Sequence, residues 1–387
     1  MTIHFPLLSP EMHRHSQAVL NYLQHEIKKA GGHISFAHFM KLALYAPGLG
    51  YYTSGSYKLG ERGDFVTAAE ISPLFAKTLA GQFAAILETL PQGSILELGA
   101  GTGIFATEVL LELEKRQALP VRYFILEPSA ELVERQKNLV LKTCPRFLSR
   151  LVWLDQLPET FRGIIFANEV LDALPVHCFR IENKTVKERC VAFNNNELVW
   201  KTTTPLSVEL HKKVLALMKK YNLPSGYESE INLLLPRWIK TLANLMQEGV
   251  VIFFDYGYGR HEYYHPDRFN GTLRCYFQHR MHTNPFLYPG LQDMTANVDF
   301  TMVVKSALRA NLDLAGYTTQ GVYLMSNGIT DGINTNPASI NAYQQNQALK
   351  RLLFPSEMGN LVKTIAFTKN WKGPLKGFSQ FDQRREL

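Results

Sequence analysis

Apolar positions along the middle of this chain fall into short runs separated by helical stretches. Ser94–Leu98, Arg122–Leu126, Leu151–Leu154, Gly163–Ala167 and Gly249–Phe254 are too short for helices and too apolar for loops, so they read as buried strands. Gly103–Gln117 and Ala130–Leu141 carry their apolar side chains at helical spacing. Strand and helix in alternation predict a parallel sheet covered by helices. A helix over 298–312, a strand near 317–325, a helix near 338–353 and a last strand over 363–369 continue the pattern. The final strand suits a terminal antiparallel hairpin.

The flanking regions read differently. Val19, Leu20, Leu23 and Ile27 share one helical face within 16–30. Residues 34–44 and 73–90 read as two more helices, the latter opened by Pro73. Between them Pro47 to Gly63, rich in Gly, Tyr and Ser, reads as a loop. Regularity breaks again between 176 and 248. Antiparallel strands over 177–201 turn at Glu182-Asn183-Lys184 and Asn194-Asn195-Asn196, and helices over 206–221 and 229–247 follow. Residues 256–297, full of Tyr, His, Arg, Pro and Gly, read as a long loop.

Composition narrows the class. Hydrophobic residues make up 46% and charged residues 19% of the 387, an ordinary globular mixture. The net charge of +7 is spread along the chain with no Lys/Arg block, so it gives no strong pointer to nucleic acid. Cys144, Cys178, Cys190 and Cys275 form no C-x-x-C pair, which favours a reducing compartment. The N-terminal residues lack a basic segment followed by an apolar run, and no stretch approaches a membrane span of about 18 apolar residues. The expectation is a soluble cytoplasmic protein.

The strand Ile95-Leu96-Glu97-Leu98 runs directly into Gly99-Ala100-Gly101-Thr102-Gly103 and then a helix. Glycines suit a tight turn where a ligand approaches the backbone, and the helix start adds unpaired amides and a positive dipole end. The next strand ends at Glu127, whose carboxylate can accept from both hydroxyls of a ribose. Gly101-Thr102-Gly103-Ile104-Phe105-Ala106 also satisfies the dinucleotide pattern G-x-G-x-x-A. The acidic-x-Gly-x-Gly-x-Gly spacing from Glu97 to Gly103 resembles the pattern of methyltransferases, and the terminal hairpin suits their fold better than a classical dinucleotide sheet, so S-adenosylmethionine (SAM) is favoured over NAD.

Further segments, in order, make a distinctive set. Met40-Lys41-Leu42-Ala43-Leu44-Tyr45 leads to Gly48-Leu49-Gly50-Tyr51-Tyr52. Gly63-Asp64-Phe65-Val66-Thr67-Ala68-Ala69-Glu70-Ile71-Ser72 and Ala167-Asn168-Glu169-Val170-Leu171-Asp172-Ala173-Leu174-Pro175-Val176-His177 follow. Asp255-Tyr256-Gly257, Gly271-Thr272-Leu273-Arg274 and Asp293-Met294-Thr295-Ala296-Asn297-Val298-Asp299-Phe300 complete it. From about residue 34 to 369 the chain resembles the MidA-like methyltransferases. That resemblance implies a class I, Rossmann-like α/β fold with a seven-stranded sheet, a helical N-terminal region and an α+β insertion. It implies SAM held by Gly99, Gly101, Gly103 and Glu127, with the Asp64–Glu70 segment folding over it. It also implies methylation of a protein arginine, in family members one of a complex I subunit. Where the family often has Thr-Ser-Pro-Glu, this chain has Thr67-Ala68-Ala69-Glu70.

The expected organisation is a helical region with a cofactor-covering loop over 1–90, and a first part of the core over 91–176. An insertion over 177–248 serves substrate or a dimer contact, though core packing explains its apolar helices equally. The rest of the core, with a long substrate-side loop, spans 249–387. Ligands in such sheets sit at the carboxyl ends of the strands. Asn168 and Glu169 should therefore face the transferred methyl. The candidate catalytic residues are Glu169, Asp172 and Asp64, with Asp255 and Tyr256 close by, since carboxylates can bind a guanidinium through two bonds. The cofactor candidates are Glu97, Gly99, Ala100, Gly101, Gly103, Glu127, Asp155, Asn168, Thr67 and Glu70. Asp172 suits a structural acid as well as a catalytic one, and His177 suits packing better than a base.

His261-Glu262-Tyr263-Tyr264-His265 matches the zinc motif H-E-x-x-H, but Pro266 disfavours the helix that would put both histidines on one face, so no metal is expected. The aromatic and basic residues of 256–290 suit a protein substrate better than nucleic acid. The alternatives are a methyltransferase for RNA or a small molecule, and a SAM-binding assembly scaffold.

Overall fold

The computed structural model describes residues 5–54, 66–331 and 340–387. They form two compact units, one of 66–170, 238–257 and 300–387, the other of 1–65, 171–237 and 258–299.

The first unit holds the sheet. Among the described residues that sheet has eight strands, one more than the seven expected. Seven of them are β1 (Ser94–Leu98), β2 (Tyr123–Leu126), β3 (Leu151–Leu154), β4 (Phe161–Asn168), β5 (Met246–Tyr258), β6 (Asp313–Thr319) and β7 (Val362–Lys369). Across the sheet they run in the order β6-β7-β5-β4-β1-β2-β3. The strands β5, β4, β1, β2 and β3 are parallel neighbours, whereas β7 is antiparallel to both β5 and β6. The chain leaves β1 toward β2 and β3, then returns to build β4 and β5 on the other side. Strand order thus reverses between β1 and β4, where open α/β sheets place their ligands.

Parallel strands covered on both faces need continuous apolar runs. The stretch 163–167 of β4 and 249–255 of β5 are buried at every position. Helices α1 (Pro73–Thr89) and α2 (Ile104–Lys115) supply the cover on one side. Phe75 and Phe83 of α1 and Phe105 of α2 pack with Phe166 and Phe254 of the sheet, the Phe105 and Phe166 rings stacking at 4.4 Å. Helix 73–89, grouped by its sequence with the N-terminal region, therefore belongs to the core of the sheet.

Two expected elements come out differently. The strand expected over 317–325 ends at Thr319, whose hydroxyl accepts from the Val322 amide and starts the helix Gln320–Ser326. The helix expected over 229–247 begins only at Leu235, because Asn232 caps it by accepting from the Leu234 and Leu235 amides at 3.0 and 2.8 Å. The residues before it, Glu228–Ile231, are a strand.

In the other unit, among the described residues, a sheet runs His33–Ser35, Thr185–Asn194, His177–Glu182, Glu228–Ile231, with Glu197–Thr203 also pairing to Thr185–Asn194. Its two tight turns take positive φ at Asn183 and Lys184 and at Asn195 and Asn196, the geometry that matches strand twist. Helices Pro10–Lys29 and Phe36–Tyr45 pack on it, and Leu210, Val214 and Leu217 of Val208–Tyr221 are buried within the unit. Residues 256–297 are more ordered than a loop, since Arg280–His282, Arg274–Phe277 and Asp293–Thr295 form a small antiparallel sheet. No helix among the described residues is long and apolar enough to cross a membrane.

Candidate active site

The turn after β1 depends on glycine. Gly99, Gly101 and Gly103 all have positive φ, at 67°, 55° and 82°, and a Cβ on Gly99 would lie 2.9 Å from Val170 Cγ2. The Gly99 amide donates to Leu126 O at 2.9 Å, which ties the turn to the end of β2. Ala100 is buried and its carbonyl accepts from the Gly103 amide at 2.9 Å. The chain then enters α2, whose first amides lack helical partners. At the tip of β2 the partly buried Glu127 accepts from the Ser129 amide at 3.0 Å.

Glu97 sits beneath this turn at 3% exposure and accepts from the Tyr123 hydroxyl at 2.7 Å. Burial raises its pKa to about 8, the Tyr123 hydrogen bond opposes that, and the charge of Glu127 adds to it. It therefore supports the fold beneath the turn as a neutral acid at pH 7. The unfolded chain would ionise it near 4.5, so its contribution to stability is full below that pH and is lost as pH rises toward 8. Ligand-free protein should accordingly melt at falling temperature between pH 5 and pH 8, and Glu97→Gln, which still accepts from Tyr123, should flatten that slope. Parallel melting curves whose pH dependence is the same in both proteins would exclude a neutral Glu97.

The end of β4 gathers residues from three segments. Glu169 continues the ladder through its amide to Phe254 O at 2.8 Å, yet takes φ +55°, a strained conformation for a non-glycine residue. Its Oε1 accepts from Asn168 Nδ2 at 3.0 Å and from the Ala68 amide at 3.3 Å. Its Oε2 has no hydrogen bond within the described residues. Burial raises the Glu169 pKa to about 8, with Asp255 and Glu70 pushing in the same direction and the two donors opposing. Asp255, fully buried, accepts from the Val170 amide at 3.1 Å through Oδ2 and from the Tyr256 amide at 2.8 Å through Oδ1. It thereby fixes the backbone that presents Glu169. Asn168 Oδ1 is a buried acceptor with no partner among the described residues.

The remaining candidates fall as follows. Tyr256 packs against the core beside the sheet, Thr67 precedes the short helix Ala68–Ile71, and Asp155 is exposed after β3. Asp64 lies outside the described residues. Asp172 belongs to the other unit, where it is buried and its carbonyl accepts from the Ala296 amide; burial raises the pKa of Tyr52 there, and the charges of Asp293 and, less, Asp172 add to it. His177 pairs through Nδ1 with the fully buried Glu188 at 2.9 Å. The helix Arg260–Tyr263 stops short of His265, whose Nδ1 accepts from the Asp267 amide, so the two histidines of the H-E-x-x-H match share no continuous helix.

Sequence reasoning missed two residues here: Val170, which closes on Gly99, and Gln136. The signal for Gln136 was present, a polar side chain on the buried stripe Leu132, Gln136, Val140 of helix α3 (Ala130–Thr143).

A sheet in this order, with a glycine turn after β1 and a carboxylate at the tip of β2, defines the class I, Rossmann-like SAM-dependent methyltransferases. The model of a family of S-adenosyl-L-methionine-dependent methyltransferases matches residues 78–318. The chain belongs to that family, the MidA-like methyltransferases, and its cofactor is SAM. A Burkholderia thailandensis protein crystallised with S-adenosyl-homocysteine is 36% identical, with a TM-score of 0.94 over 99% of this chain and 100% of that one. The mitochondrial protein arginine methyltransferase NDUFAF7 of Danio rerio is 27% identical over 95% of this chain and 94% of its own length. Its Drosophila melanogaster homolog is 26% identical over 90% and 86%.

Proposed function

We propose that this methyltransferase methylates an arginine side chain of a protein, of the kind found in subunits of respiratory complex I. The names of the NDUFAF7 relatives support an arginine acceptor. The observation that carries the reading is the end of β4, where a raised, strained Glu169 has two acids, Asp255 and Glu70, as its charged neighbours. Such a group can pair with a cation, because a guanidinium beside it favours the ionised carboxylate that burial, and to a lesser degree the two neighbouring acids, disfavour. A reducing compartment, the cytoplasm, suits the four cysteines, which are buried and free.

For the cofactor, the turn Gly99-Ala100-Gly101 and Gly103 would receive the methionyl part and Glu127 the ribose hydroxyls, above Glu97. Asn168 Oδ1 offers an unmatched acceptor for an N–H donor, and Thr67, Glu70 and Asp155 would close around the ligand. Bound SAM supplies an electrophilic methyl group. Glu169 Oε2 would hold the guanidinium and accept the proton that a newly methylated nitrogen sheds, while Asn168 and Ala68 keep Oε1 in place. Asp255 sets the backbone of that turn through the Val170 amide, with Tyr256 next to it in the strand.

Incubating the protein with SAM carrying a tritiated methyl group and a protein extract, followed by acid hydrolysis, tests the acceptor. Label in methylarginine is expected. Label confined to other residues, RNA or small molecules overturns the arginine reading. Glu127→Ala should lower the affinity for S-adenosyl-homocysteine by about tenfold to a hundredfold in calorimetry, as loss of a charged acceptor for two hydroxyls implies. An unchanged affinity would remove Glu127 from the cofactor site.

A further inference from the structure

Gln136 is the least expected polar residue of the first unit. It lies on the inner face of α3 with no exposed surface, between Leu132 and Val140. A buried primary amide costs stability unless both its ends are satisfied. Here both are. Nε2 donates to Gly101 O at 2.8 Å, and Oε1 accepts from the Trp153 indole N–H at 2.9 Å. A carbonyl can only accept and an indole N–H can only donate, so one orientation of the amide satisfies both partners. The stem of the same side chain fills the space that the glycine turn leaves open. A Cβ on Gly103 would stand 2.9 Å from Gln136 Cγ and 3.2 Å from its Cβ.

Three segments are thus joined through one side chain: the turn after β1, helix α3, and the indole of β3. The turn has few holds of its own, since Gly101 takes φ +55° and has no side chain to pack. The Gly101 carbonyl is engaged by Gln136, which fixes the direction of the Gly101–Thr102 peptide plane. Lys137, next in α3, lies over the Trp153 ring at 5.5 Å, so the indole is held from a second direction.

We propose that Gln136 is a positioning residue for the cofactor, holding the Gly99–Gly103 turn in its binding conformation by linking the Gly101 carbonyl to the Trp153 indole. Nothing in this depends on the identity of the methyl acceptor. The link acts before any ligand arrives, so its loss should appear in binding as well as in turnover.

The test is calorimetric titration of S-adenosyl-homocysteine into the full-length protein and its variants. Gln136→Leu keeps the bulk and removes both hydrogen bonds, and should weaken binding by about tenfold to a hundredfold. Trp153→Phe removes the indole donor and should weaken it less. The double variant should bind no more weakly than Gln136→Leu, because both changes cut the same link. Gln136→Glu supplies the readout that a packing role would not move. Only its protonated form can donate to Gly101 O, so its affinity should recover as pH falls, while that of the wild type does not follow. Wild-type affinity in a folded Gln136→Leu overturns the proposal. Should that variant fail to fold, wild-type affinity in Trp153→Phe, or a Gln136→Glu whose affinity ignores pH, overturns it equally.

Discussion

Replacing Glu169 by Gln should lower methyl transfer by about a hundredfold to a thousandfold, the usual range for loss of a positioned base or charge-stabilising group. Affinity for S-adenosyl-homocysteine should stay within about threefold of the wild type, since an amide oxygen can still accept from Asn168 Nδ2 and the Ala68 amide. What the variant lacks is the ability to ionise. Burial holds the wild-type carboxyl near pH 8, so only a small fraction is ionised at neutral pH without a cation beside it. The wild-type rate should therefore climb as pH rises toward that value, and the Gln variant should lack the climb. Rates with the acceptor found by methyl labelling, measured from pH 6 to pH 9, decide this. A Gln variant that turns over like the wild type removes Glu169 from the chemistry and leaves it a strained structural residue.

The second large effect lies in the sheet, away from any ligand. Gly163 of β4 and Gly249 of β5 are direct neighbours in register, and Gly163 is in register with Ser94 of β1. Their φ angles are +135° and +140°, and a Cβ on Gly163 would lie 1.9 Å from Ser94 O, one on Gly249 1.9 Å from Gly163 O. Neither neighbour can give way, because both are backbone atoms of central strands. Gly163→Ala and Gly249→Ala should each cost more than about 4 kcal/mol or prevent folding, the range of the most damaging single substitutions. Gly226→Ala is the control. Its φ is also positive, at +91°, but nothing lies within 4 Å of the added Cβ, so only backbone strain of about 1–3 kcal/mol is expected. Urea unfolding of the three variants would sort them. A Gly163→Ala protein as stable as Gly226→Ala would show that the strand ends relax more easily than the register implies.

Much of the parallel sheet was legible because its signals are local. An apolar run bounded by glycine, such as Gly163–Ala167, announces a strand without reference to anything distant, and the Gly99–Gly103 turn announces both the strand before it and the helix after it. The acid ending the next strand, Glu127, stands where that pattern leads one to look. Boundaries were less legible where one side chain redirected the backbone. Thr319 converts an apolar stretch from strand to helix, and Asn232 delays a helix by several residues; both caps are readable, but an apolar run on either side outweighs them in sequence. The same holds for Gln136, whose helical position was clear while its two partners, 35 and 17 residues away, were not.

By itself, then, the sequence determined the alternation of strand and helix, the glycine turn, the acidic strand tip and the family, because each resides in a contiguous segment. That the described residues of 1–65, 171–237 and 258–299 fold as one unit followed from tertiary pairing alone, since it depends on partners such as His33–Ser35 and Thr185–Asn194, more than a hundred residues apart. The tertiary structure likewise decided the character of Glu169. That residue was a candidate from its place after a strand, but its raised pKa needs burial together with Asp255 and Glu70, two points of the chain that no sequence window around it contains. A charge state is set by everything within a few ångströms, and distance along the chain does not measure that.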